Sequence, residues 1–141
     1  MRRVVGALAI AMICAACEQE TGRKGASGDA GAIWNTAWRL ERLGSAGVID
    51  GTEATLEFPE QGRAVGRGSC NRYFAIVAVT ADTIRFSGIG ATRMACEEPI
   101  ATQETSFLKA LESADRYAIE QGELVIHSSA LAEPLRFARK E

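Results

Sequence analysis

Val65 to Tyr73 reads VGRGSCNRY, and Thr92-Arg93-Met94-Ala95-Cys96 follows with a second cysteine twenty-six residues after the first. Glycines at 66 and 68 open the stretch. Within a strand, glycines mark a bulge or a place where two backbones approach closely. From Asn71 to Val79 a period-two pattern is apolar on both faces, with Tyr73, Ala75, Val77 and Val79 on one side and Phe74, Ile76 and Ala78 on the other. A two-sided apolar run of this length predicts the most enclosed strand of a sheet.

Working outward, simpler strands flank it. Trp38 and Leu40 alternate with Arg39 and Glu41, and Ala54, Leu56 and Phe58 alternate with Glu53, Thr55 and Glu57 until Pro59 and Gly62 end the run. Ile84 and Phe86 face in around Arg85. Beyond Asp115 the same alternation returns through Tyr117 and Ile119, then Leu124 and Ile126, then Leu135 and Phe137. One segment has a different period: Ile100, Glu104, Phe107, Leu108 and Leu111 form a stripe at helical spacing. Pro99 suits a first helical turn, and Glu97 and Glu98 complement the positive end of the helix dipole. The expected fold is mainly β, a small antiparallel sheet curled into a barrel-like form with one α-helix over about 98–113.

The amino terminus carries an address. Met1-Arg2-Arg3 precedes an uncharged apolar run from Val4 to Ile13, too short for the roughly 20 residues that span a bilayer, and so reads as a secretory leader. Cys14-Ala15-Ala16-Cys17 resembles a bacterial lipobox, with Cys14 where an aliphatic residue is usual. The resemblance implies a signal peptide over 1–16 and a triply acylated amino terminus at Cys17. By the same resemblance, Glu18 directly after the cysteine implies the outer membrane, with the protein facing the periplasm. Residues 18–31, EQETGRKGASGDAG, hold no aliphatic side chain larger than alanine and cannot bury a core. They form a tether reaching about 20 Å as a glycine-rich coil. Loss of Arg2 and Arg3 with the leader takes the net charge from -2 to -4, a balance that gives no reason to expect nucleic acid as partner.

Cys70 and Cys96 are the cysteines left in the domain. In an oxidising compartment a disulfide between them is favoured, contributing about 3.5 kcal/mol by loop closure. A soft-metal site using Met94 as third donor and a pair of free thiols are the other readings. His127, the lone histidine, falls with Val125 on the strand face opposite Leu124 and Ile126, and one histidine cannot supply a multi-histidine zinc site. Ser69 lies outside a Gly-x-Ser-x-Gly elbow, and glycines 62, 66 and 68 form no phosphate loop. No catalytic residue, metal or cofactor is assigned. Asn71, Arg72 and Arg93 form the candidate binding surface, an anion site flanking the cysteine pair. Its bland counterpart is two solvated arginines and an asparagine that fixes a turn.

Trp38 with Leu40, Gly66 to Asn71 with Arg72-Tyr73, Thr92 to Cys96, Glu104 with Phe107 and Leu111, and Gly122 with Leu124 together resemble the META domain of HslJ-like heat-inducible bacterial lipoproteins. Ser69 and Ala75 stand where that family usually has glycine. The resemblance places the domain in residues 32–141 and implies a β-rich fold, an envelope location and a link to stress or drug tolerance, without a catalytic residue. The expected protein is a non-enzymatic lipoprotein of envelope maintenance, held to the membrane by acyl chains on Cys17 and contacting an envelope protein or small molecule. The alternative is a carrier holding a small apolar ligand between sheet and helix.

Overall fold

The computed structural model describes residues 32–141; the predicted leader, Cys17 and tether lie outside the described residues. The strands are β1 (Thr36–Leu43), β2 (Ala46–Gly47), β3 (Thr55–Glu60), β4 (Arg63–Arg67), β5 (Arg72–Thr80), β6 (Thr83–Ala91), β7 (Ala114–Glu120), β8 (Glu123–Ser128) and β9 (Leu135–Lys140). Helix α1 (Glu98–Glu112) interrupts them between β6 and β7. Successive strands pair antiparallel, and β9 returns to β1 from Ala37↔Lys140 to Leu43↔Leu135, so the sheet closes into an eight-stranded barrel. The two-residue β2 hangs on the end of β1.

Alternation decides which side chains fill the barrel. Trp38 and Leu40 of β1, Leu56 and Phe58 of β3, Ile84 and Phe86 of β6, Leu124 and Ile126 of β8, and Leu135 and Phe137 of β9 are all buried. An eight-stranded barrel is just wide enough for its inward side chains to fill it. Each large apolar side chain moved out of water contributes about 1.5–3 kcal/mol before conformational entropy is charged against it. Among the described residues, every core residue lies between Ile33 and Phe137, and the first long strand pairs with the last. The closed barrel and its helix thus lie within the described residues.

The seam between β6 and β7 is narrow. The two strands pair at Thr83↔Arg116, with Tyr117 N–H donating to the Asp82 carbonyl at 2.9 Å. Helix α1 joins the two strands in sequence and packs against β6. Pro occupies its first turn, and Phe107, Ala110 and Leu111 are turned inward and fully buried. Phe107 stands edge-on to Tyr73 at 5.8 Å between ring centroids and tilted against Phe137 at 6.3 Å, so the helix joins β5 to β9 through the core.

Two expectations change. The apolar run on β5 does not make it doubly enclosed: Tyr73, Ala75 and Val77 are buried, but Phe74 and Ile76 are 59% and 63% exposed. The reason is closure. A single-layer barrel has one interior, and nothing else in the described residues is layered over the outside of β5. On β8 the face shared by His127 and Val125 divides: His127 is exposed, whereas Val125 is buried.

Candidate functional site

Gly66 lies in β4 and Gly68 to Asn71 form the connection to β5, and both glycines answer to close contacts. A Cβ on Gly66 would stand 2.2 Å from the Thr55 carbonyl oxygen, and one on Gly68 would stand 2.8 Å from Glu104. Ser69 takes φ 111°, backbone that favours glycine. That is one of the two positions at which this chain departs from the usual glycine of the resembled family. Its hydroxyl receives a hydrogen bond from Gln103 Nε2 at 2.8 Å.

Glu104, although a member of the helical stripe, is 8% exposed and meets the turn rather than the apolar core. Its Oε2 accepts the backbone N–H groups of Cys70 (2.9 Å) and Asn71 (2.6 Å), and its Oε1 accepts Asn71 Nδ2 (2.6 Å). Asn71 then reaches onward. Its Oδ1 accepts the N–H of Met94 at 2.7 Å and the hydroxyl of Thr92 at 3.1 Å. One buried carboxylate and one buried amide thus tie three separated pieces of chain: α1, the β4–β5 turn and the loop after β6. Burying such groups is costly unless each is partnered, and here both carboxylate oxygens and both ends of the amide are.

Gln103 repeats the device one residue earlier. It accepts the N–H of Ile49 at 2.8 Å and donates to Thr52 and Ser69, fixing the loop ahead of β3 to the same turn. In the sequence Gln103 carries no assigned role, and Glu104 stands only as a member of the helical stripe and of the pieces that resemble the META domain. The available signal was an adjacent Gln-Glu pair on the inward side of an amphipathic helix.

Cys70 and Cys96 come to disulfide distance, their Cα atoms 6.4 Å apart. Both sulfurs lie near the Met94 carbonyl oxygen, at 3.9 and 3.7 Å. Among the described residues no group of three or more His, Cys, Asp or Glu converges as a metal site. Of the three residues proposed as a surface, Asn71 is only 7% exposed and is committed to the internal network, so it leaves that surface. Arg72 and Arg93 remain exposed. Arg72 sits directly across from Arg67 on β4, and both border an open groove of about 480 Å³ shared with Glu53, Glu57 and Lys140.

Tyr73 closes the site from below. Its hydroxyl donates to the Thr55 carbonyl at 2.6 Å. Burial, and secondarily the nearby Glu57 carboxylate, push its pKa well above the ordinary tyrosine range.

A solved NMR structure of a protein from Burkholderia xenovorans superposes with a TM-score of 0.66 at 22% identity, covering 99% of each chain. A second solved NMR structure gives a TM-score of 0.64 at 18% identity over 77% of this chain and 92% of the other. At these identities the likeness establishes the fold. No curated protein matches the chain. The META domain family model, in contrast, matches residues 31–141, the whole of the barrel with its helix. The chain belongs to the META domain family.

Proposed function

We propose that this META-domain chain is a lipoprotein, anchored to the outer membrane through acyl groups on Cys17, facing the periplasm and serving envelope maintenance or stress and drug tolerance without catalysing a reaction. The carrying observation is the order Arg2-Arg3, apolar run, Ala15-Ala16-Cys17, followed by a core-less tether that leads directly into a closed domain. The site supports the non-enzymatic part. Glu104 spends both oxygens on internal donors, Ser69 is held by Gln103, and the sole histidine lies exposed on β8. A general base or nucleophile needs a free lone pair facing a substrate, and a general acid a proton held toward it. The carrier reading draws less support, because Trp38, Phe58, Phe107 and Phe137 are fully buried inside the barrel.

Intact-mass spectrometry of protein extracted from a Gram-negative membrane fraction tests the anchor. The expected mass is that of a chain beginning at Cys17 and carrying acyl groups, and Cys17→Ser leaves no acylated species. An unacylated chain cleaved elsewhere would defeat the reading. Loss of the gene is expected to raise sensitivity to envelope stress, with rescue by the parent and by Ser69→Ala but not by Cys17→Ser. Equal rescue by Cys17→Ser would separate the domain's role from its anchor.

A further inference from the structure

Charge in this domain is segregated by strand. Between Gln61 and Cys96 stand five arginines and one acidic residue, Asp82, whereas residues 32–60 and 97–141 carry net charges of -3 and -4. The cationic segment is β4, the exposed strand β5, β6 and their connections. Register places its side chains on one outer surface. Arg67 stands opposite Arg72, Val65 opposite Phe74, Arg63 opposite Ile76, and Ala78 opposite Arg85. Phe74, Ile76 and Ala78 therefore form an apolar ridge, with Arg63, Arg67, Arg72 and Arg85 around it.

The ridge is built to lie flat. Gly90 is paired with Phe74, and a Cβ there would stand 2.4 Å from the ring, so the missing side chain leaves room for the aromatic group to rest across β6. Like charges directly opposite each other across strands are destabilising, and Arg67 faces Arg72 without a carboxylate in ion-pairing range among the described residues. Arg63 alone of the four has a partner, Glu60 at 3.4 Å. Glu53 and Glu57 line the β3 side of the neighbouring groove and bound the surface there.

We propose that this outer face of β4–β6 docks on an anionic lipid surface, its arginines at the headgroups and Phe74 with Ile76 in the interfacial region. The choice of a bilayer as occupant rests on the lipid-anchor reading above. On that reading an anchor at Cys17, only fourteen residues ahead of the domain, holds it close to the lipid, where headgroup charge is felt over roughly 8–10 Å at physiological salt, so lasting contact needs a complementary face. The rest of the domain is acidic and would be repelled, which fixes which side turns toward the lipid. Tethering also raises the effective concentration, so a docking contact that is weak on its own is occupied.

The test uses the unlipidated chain from Glu18 onward, which contains the whole closed barrel and its helix, with vesicles of phosphatidylglycerol mixed into phosphatidylcholine and with vesicles of phosphatidylcholine alone. Flotation at high lipid is expected to show binding to the anionic vesicles that falls with added salt. The pair Arg72→Gln and Arg85→Gln should lower that partition roughly 25-fold, at about fivefold per arginine near an anionic surface. Phe74→Ser should lower it severalfold, and all variants should keep the parent's unfolding midpoint. Arg39→Gln with Arg136→Gln, on the opposite wall, should change nothing. Absence of binding, equal binding to both vesicles, or an equal loss in the Arg39/Arg136 pair overturns the proposal. So does a Phe74-dependent dimer in sedimentation without vesicle binding, which would make a second copy the occupant. The anchor and the docking fail separately: an unacylated Cys17 in cells leaves vesicle binding standing, and an acylated Cys17 with no vesicle binding removes only the docking.

Discussion

Asn71 and Phe74 stand three residues apart, and each occupies the side its polarity would avoid. Asn71 is buried and Phe74 is mostly exposed. The asparagine is held by four internal hydrogen bonds to its side chain and backbone N–H, whereas the phenylalanine rests on a glycine. A buried polar group that is fully partnered specifies architecture, because every neighbour must be in place at once. An exposed apolar side chain that the interior does not need is free to serve an outside contact. The motif around Cys70 thus divides into an inward latch and an outward face.

The largest effect should come from breaking the latch. Glu104→Ala strips the acceptor from two backbone N–H groups and one amide, and is expected to cost about 4 kcal/mol. Urea titration would register this as a fall in midpoint with little change in slope. Glu104→Gln should recover only part of it. Asn71 Oδ1 is already held by Met94 N–H, so its Nδ2 must face position 104 and would meet a second donor there. A glutamine variant as stable as the parent would show that the carboxylate is not required as a pure acceptor.

Next comes the covalent brace over the same latch. With Cys70 and Cys96 oxidised, Cys70→Ala should lose about 3.5 kcal/mol, and reductant should bring the parent to the same midpoint. Glu104 takes the backbone N–H of residue 70, so alanine leaves that hydrogen bond intact and isolates the cross-link. Equal midpoints for parent and variant under oxidising conditions would mean that the pair does not brace the domain.

These regions differ also in how they can be read from sequence. Strands β3 and β6 are legible because Leu56 and Phe58, or Ile84 and Phe86, alternate with polar neighbours, and the helix is legible from Pro99 and its stripe. Strand β5 defeats the same rule. Both of its faces are apolar, so periodicity cannot say which one meets water; only pairing into a closed single-layer barrel decides. The latch escapes for another reason. Glu104 meets partners 33 and 34 residues away and Gln103 meets Ile49 and Thr52 more than fifty away, and no local pattern encodes which turn a buried carboxylate will find. Ser69 offered a partial clue, since a serine at a position its family usually gives to glycine does adopt positive φ.

A smaller effect should appear at Tyr73, beneath the latch. Its folded-state pKa is raised, so the unfolded chain releases the phenolic proton first as pH rises. The stability tied to the neutral hydroxyl is therefore complete below about pH 10, the unfolded value, and declines above it toward the folded value, by at most about 1.4 kcal/mol per pH unit. Tyr73→Phe should cost about 1 kcal/mol at neutral pH by orphaning the Thr55 carbonyl. It should also flatten the alkaline decline in denaturant midpoint. A variant with the parent's full alkaline slope would assign that slope to other groups.

The outward face should give the smallest stability change of all. Phe74→Thr keeps a good strand former, removes a ring that is 59% exposed, and leaves Gly90 uncovered. A surface change of this kind is expected within about 0.5 kcal/mol of the parent. The measurement that matters is the pairing of that result with a fall in vesicle binding, because the same substitution at buried Tyr73 or Phe107 would disturb the core on which the whole face stands. If Phe74→Thr instead lowers the midpoint by as much as Cys70→Ala, the ring is part of the barrel's packing over Gly90, and the contrast between inward latch and outward face collapses into one structural role.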